Sequence, residues 1–119
     1  MEELTELNIL YEDNHIIVVE KKPNIPVCED SSKDKDLLTT IKEYIKTKYN
    51  KPGNVYLGLV HRLDRPVGGV MIFAKTSKAA SRLSKQINEN KIVKTYIAVV
   101  EGKIKKSDTL TDYLIKDEK

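Results

Sequence analysis

Val60-His61-Arg62-Leu63-Asp64-Arg65-Pro66-Val67-Gly68-Gly69, running straight into Val70-Met71-Ile72-Phe73-Ala74-Lys75-Thr76, is the stretch on which the reading of this chain turns. A histidine, two arginines and an aspartate share one bend, and two glycines lead from it into an apolar run. Where polar groups crowd a bend that then enters a core, a carboxylate such as Asp64 is expected to be held by neighbouring cations and backbone donors. An Arg-Asp-Arg cluster that only pins a loop would use the same residues, and residue types alone leave the two readings level.

Downstream, Val70-Met71-Ile72-Phe73-Ala74 reads as a short, continuously apolar strand with Met71 as core filler. Thr76 or Ser77 can cap a helix whose apolar positions are Ala79, Ala80, Leu83 and Ile87, closed by Asn88-Glu89-Asn90. Arg82, Lys85 and Lys91 fall on its exposed side, where a plain solvated face competes with contacts to the phosphates of a polyanionic partner. Lys94-Thr95-Tyr96-Ile97-Ala98-Val99-Val100-Glu101-Gly102 reads as a further strand ending at a glycine. A basic turn over 103–108 and the start of another element at Thr109 follow.

Upstream, His15-Ile16-Ile17-Val18-Val19-Glu20 is rich in β-branched residues and apolar on both faces, which predicts an interior strand with Ile9-Leu10-Tyr11 as an antiparallel neighbour. Lys21-Lys22-Pro23-Asn24-Ile25-Pro26-Val27 ends that strand because of its two prolines. Residues 28–36 are polar and predict a mobile surface loop, either a plain connector, the favoured reading, or a flap that contacts substrate. Leu37, Leu38, Ile41, Tyr44 and Ile45 recur at helical spacing and predict a helix over about 36–48, capped by Asp34 or Asp36. Lys51-Pro52-Gly53-Asn54 breaks it, Val55–Val60 is extended again, and residues 1–7 are a helical or frayed lead-in. The fold class expected is α+β: a mixed, mainly antiparallel sheet with flanking helices.

A chain of 119 residues with 33% charged side chains can build one modest core and is too short for several. With one cysteine, Cys28, no intrachain disulfide or cysteine zinc cluster is possible, and two histidines far apart make a metal site a poor expectation. There is no apolar run of about 18 residues, and Met1-Glu2-Glu3-Leu4-Thr5-Glu6 lacks the basic head and apolar middle of an export signal, so a cytoplasmic protein with no membrane partner is expected. Net charge is +3, but residues 1–60 carry 8 Lys/Arg against 11 Asp/Glu while residues 61–119 carry 13 against 7. The positive excess follows the central bend and suits a polyanionic partner. Neither G-x-G-x-x-G nor a Gly-Lys-Ser/Thr ending is present, so the glycines form no phosphate-binding fingerprint. A hydrolase built on Asp64 and His61 finds no Ser or Cys nucleophile in a recognisable motif.

The segment HRLDRPVGGVMIFAKTSKAASRLSKQ, with IVKTYIAVVEG after it and ILYEDNHIIVVEKKPNIPV before it, resembles the RluA-type family of RNA pseudouridine synthases. The resemblance runs from near Ile9 to the end of the chain. It implies an RNA-uridine isomerase with no cofactor and no metal, acting on transfer or ribosomal RNA, and a fold of the pseudouridine synthase kind. Asp64 is then the catalytic carboxylate, as nucleophile or as the base of a glycal-like route. Arg62 helps to hold an extruded nucleotide, and Tyr96 lies against the target uracil as a candidate for the C5 proton step. His61, Leu63, Arg65, Gly68, Gly69 and Lys94 support the motif or the RNA, with Arg82 and Lys85 as further RNA contacts. Two departures matter. Val67-Gly68-Gly69 lacks the small hydroxyl often found there, and Asn24-Ile25 replaces the usual glycine after Lys-Pro, which implies that Asn24 takes the left-handed conformation, one that asparagine tolerates. Family catalytic domains are longer, and the basic partner of their aspartate finds no counterpart here. The expectation is therefore a partial catalytic domain over 1–119, without a separate N-terminal RNA-binding domain, whose activity alone is weak or absent, with a catalytically silent RNA-binding module as the alternative.

Overall fold

The structure, a computed structural model, describes residues 7–117, so the expected lead-in falls almost wholly outside the described residues. Four strands form one sheet: β1 (Asn8–Glu12), β2 (Ile16–Lys21), β3 (Gly58–Leu59) and β4 (Gly69–Ala74), in the order β1-β2-β4-β3. All three pairings are antiparallel, so the parallel component of the expected mixed sheet is not seen among the described strands. Helices α1 (Leu37–Tyr49) and α2 (Ser77–Asn88) complete an α+β arrangement.

Alternation explains which side chains go inside. Ile17 and Val19 of β2 face the same side as their partners Phe73 and Met71 of β4, and all four are fully buried. Leu37, Ile41 and Ile45 of α1, spaced by one turn each, close over that face with Val27 and Leu57. The other face takes α2: a Cβ added at Gly58 would meet Ala80 Cβ at 3.0 Å and Ala74 Cβ at 3.3 Å, so a glycine there lets β3 and the helix approach closely. Both helix starts follow the capping chemistry expected of them. Asp36 accepts from the Thr39 N–H at 3.0 Å and Thr76 from the Ala79 N–H at 3.1 Å.

Far from the glycine bend, the C-terminal end of α1 is tied to the β1–β2 turn by Glu12. Its carboxylate accepts from Tyr44 Oη at 2.7 Å, Tyr49 Oη at 2.8 Å, Lys75 Nζ at 2.7 Å and Lys48 Nζ at 3.2 Å. Burial alone would raise its pKa, but those donors together outweigh burial and hold it down to about 2. Because the folded pKa lies below the ordinary value, the stabilisation is present at neutral pH and is lost as pH falls from about 4.5 toward 2. Glu12→Gln is expected to cost about 2–3 kcal/mol at pH 7, since it leaves the half-buried Lys75 ammonium without its counter-charge, and to flatten this acid limb. Urea unfolding at pH 7 and pH 3 measures both effects.

The expected strand over 94–102 is not formed. Residues 91–117 carry no regular structure, and Ile97, Val99, Ile104 and Leu110 are exposed. β-branched composition supplies the propensity, but a strand exists only as one side of a ladder, and no described segment pairs with this one. The strand expected over 55–60 likewise shrinks to β3, because only Gly58 and Leu59 find partners, Ala74 and Phe73.

Candidate active site

The bend between β3 and β4 is held from beneath by a lysine. Lys21, the last residue of β2, alternates onto the buried side after Ile17 and Val19, and none of its surface reaches solvent. Its ammonium donates to the carbonyl oxygens of Val67 at 2.6 Å, Arg65 at 2.9 Å and Asp64 at 3.3 Å, and to that of Lys22 at 3.2 Å. Burial lowers its pKa first, and the positive Arg65 adds to that while the negative Asp64 works against it. Sequence reasoning read Lys21 only as the end of a strand. The signal that identifies it is the parity of the strand, which points position 21 into the core.

The turn after Lys21 completes the cradle. Asn24 is left-handed as expected, with φ 67°, and that geometry delivers its N–H to the Arg65 carbonyl at 2.7 Å. Gly68 packs on the same turn: an added Cβ would lie 2.9 Å from Pro23 Cδ and 3.2 Å from the Lys21 carbonyl. Its space is thus taken by the protein and not by a substrate. Gly69, at φ 156°, opens β4 in a conformation that a side chain would strain.

His61 has a local structural task. The β3–β4 ladder stops at the pair Leu59 and Phe73, and the imidazole then takes the ladder's place by accepting the Ile72 N–H on Nε2 at 3.0 Å. That bond requires a neutral ring with its proton on Nδ1. Partial burial lowers the His61 pKa, and the charge of Lys94 lowers it further. The sign follows from linkage: below the ordinary pKa of about 6.5 the unfolded chain takes up a proton that the folded chain resists. Stability is expected to be full at pH 7.5 and to fall as pH drops from about 6.5 to the depressed folded pKa, with that fall absent in His61→Phe. Urea midpoints at pH 7.5 and 5.5 test it.

Leu63 is half-buried and packs against the core, which leaves its neighbours Arg62 and Asp64 pointing outward and exposed. They open on a cleft of about 420 Å³, lined also by Val27, Cys28, Glu29, Asp30 and Arg65. The expected clamp of cations on the Asp64 carboxylate is not what holds the bend. Among the described residues that carboxylate makes no hydrogen bond or ion pair, and the bonds go to its backbone, whose carbonyl accepts from Lys21 and from the Val67 N–H at 2.9 Å. Arg65 turns away instead, donating to Asp30 at 3.1 Å, to Ser32 Oγ at 2.9 Å and to Asp34. Residues 30–34 are thereby held against the bend, and Pro26, Val27, Cys28, Glu29 and Asp30 form one wall of the cleft. Among the described residues no three His, Cys, Asp or Glu side chains come together in a way that could hold a metal ion, and no helix is long and apolar enough to cross a membrane.

Tyr96 is not brought into the cleft. It is 64% exposed and belongs to the 91–117 segment, which carries no regular structure. Arg82 and Lys85 are exposed on α2, clear of the residues that line the cleft. The bend thus unites Asp64, Arg62, Leu63, Arg65 and His61, whereas Tyr96, Arg82 and Lys85 are not joined to it.

A family described as RNA pseudouridylate synthase matches residues 15–119. A ribosomal large subunit pseudouridine synthase C of Buchnera aphidicola subsp. Schizaphis graminum is 39% identical over 95 residues, 80% of this chain and 28% of the relative. A tRNA pseudouridine synthase C of Pectobacterium carotovorum is 34% identical over 118 residues, 99% of this chain and 30% of the relative. In structure, human RNA Pseudouridylate Synthase Domain Containing 4 superposes with a TM-score of 0.59 at 23% identity, over 71% of this chain and 30% of that one, a likeness of fold. The chain belongs to the RNA pseudouridylate synthase family, and it spans less than a third of the length of these three proteins.

Proposed function

We propose that the Asp64 cleft serves the isomerisation of uridine to pseudouridine in structured RNA, transfer or ribosomal, through an aspartate-dependent route. The observation that carries it is the exposed Asp64 carboxylate, unengaged among the described residues, set beside Arg62 on a bend whose backbone is fixed by Lys21. Rigid backbone with a free reactive group is the arrangement that positioning catalysis requires. The names of the relatives, ribosomal and tRNA pseudouridine synthases, support the choice of substrate.

The reaction breaks the bond from uracil N1 to ribose C1′, turns the base, joins C5 to C1′, and releases the C5 proton. Asp64 acts at the first step, attacking C1′ or removing a sugar proton toward a glycal. Arg62, a planar five-donor cation, suits the phosphate or the space vacated by the flipped nucleotide. Tyr96 is the candidate for the C5 proton and for stacking on the base. It reaches the base only if the 91–117 segment folds over the cleft, so turnover by the 119 residues alone is weak or absent. That same displacement favours a second reading, an RNA-binding module without turnover. Tritium released from RNA labelled at uracil C5 reports the isomerase, and RNA retained on a filter without release reports the binding module.

A further inference from the structure

We propose that Arg65 and residues 28–34 form a charge-operated gate on the Asp64 cleft: an incoming RNA phosphate takes Arg65 from Asp30 and Asp34, and the acidic wall swings back. The proposal rests on the RNA reading above. Its starting point is a mismatch between that reading and the charge of the cleft. Three carboxylates line it, Glu29, Asp30 and Asp64, against two guanidinium groups, Arg62 and Arg65, and Arg65 is already engaged. A cleft so balanced repels a polyanion unless the wall gives way.

The segment is built to do that. Its two ends are clasped together, the Leu37 N–H donating to the Pro26 carbonyl at 2.9 Å and the Leu38 N–H to that of Val27 at 3.0 Å. Between these necks the bonds of Asp30, Ser32 and Lys33 close on the loop itself, with Lys33 left-handed at φ 62°. Among the described residues, Arg65 is the side chain from elsewhere in the fold that hydrogen-bonds into 28–34. Lys35, paired with Glu43, and Asp36, the cap of α1, anchor the far end of the loop, so the part that swings is 28–34, with its neck closed and Arg65 as its tether. The tether is also of the exchangeable kind. The Arg65, Asp30 and Asp34 side chains are 37%, 38% and 57% exposed, so water and salt screen their pairing. A phosphate offers the same fork two oxygens and gains from counterion release as well.

The test compares the full chain with Asp30→Asn/Asp34→Asn and with a same-charge control, Glu89→Gln/Glu101→Gln, using an unmodified tRNA transcript as probe. Filter binding is expected to give the loop variant a several-fold lower Kd than the control. Its log–log salt dependence should be steeper by about 0.7–0.9, the increment for one more phosphate contact. Adding Arg65→Gln is expected to abolish the gain. Without RNA, trypsin is expected to cut after Lys33 faster in Arg65→Gln and in the loop variant than in the wild type, with circular dichroism unchanged. The gate is overturned if the loop variant matches the control, if the gain survives Arg65→Gln, or if cleavage after Lys33 does not change. If the wild type and every variant fail to bind the transcript, the RNA reading falls and the gate with it. Wild-type binding with a loop variant no better than the control overturns the gate alone.

Discussion

Lys21→Met is expected to lower stability by about 3–5 kcal/mol and to loosen the bend that carries Asp64. Methionine keeps the length and apolar bulk of the stem, so the core around Ile17 and Val19 loses little packing. What it loses is the donor. The carbonyls of Asp64, Arg65 and Val67 all converge on Lys21 Nζ, a group with no exposed surface; without it that of Asp64 keeps only the Val67 N–H, that of Arg65 only the Asn24 N–H, and that of Val67 loses its donor. Lys21→Arg is expected to rescue only partly, because a planar fork cannot reproduce the convergence of a compact ammonium on several oxygens. Urea unfolding gives the stability. Hydrogen exchange separates a local from a general effect: the Val67 amide, bonded to the Asp64 carbonyl, should lose more protection than the amides of α1. Equal loss at both places would mean that Lys21 supports the whole domain and not the bend in particular.

Much of this was legible in the sequence wherever local chemistry decides the outcome. The caps at Asp36 and Thr76 and the interior β2 strand follow from short-range rules, the left-handed Asn24 from the resemblance, and the structure has each of them. So does the scaffold role expected of His61, now seen as a bond to the Ile72 N–H. The misses are all long-range. Residues 94–102 have the composition of a strand, but pairing depends on a partner elsewhere in the chain, and composition does not supply one. The partners of Arg65, Asp30 and Asp34, lie more than thirty residues away, beyond what its sequence neighbours specify. Lys21 shows a third kind of miss, since a lysine at a strand end reads as solvent-exposed until the parity of Ile17 and Val19 is carried one step further.

Asp64→Asn carries the largest expected effect on function, a loss of at least about a thousandfold in turnover, or about 4 kcal/mol of barrier. The substitution is a clean probe because the two roles of the residue are separable here. Its structural part is the backbone carbonyl that accepts from Lys21 and from Val67, and asparagine keeps it. The carboxylate makes no structural bond among the described residues, so removing its charge takes away only what a nucleophile or base needs. Since Tyr96 stands outside the cleft, the assay calls for a protein in which the remainder of a family domain is present. Residues 15–119, the family-matched stretch, would replace the corresponding part of the Buchnera ribosomal large subunit enzyme.

The decisive measurement is the release of tritium from C5-labelled RNA by that hybrid, with and without Asp64→Asn, alongside RNA retention and thermal unfolding for both. Release by the parent hybrid that vanishes in Asp64→Asn, with binding and melting unchanged, is the result predicted. Equal release from both would show that the carboxylate on this bend is not the group that opens the glycosidic bond.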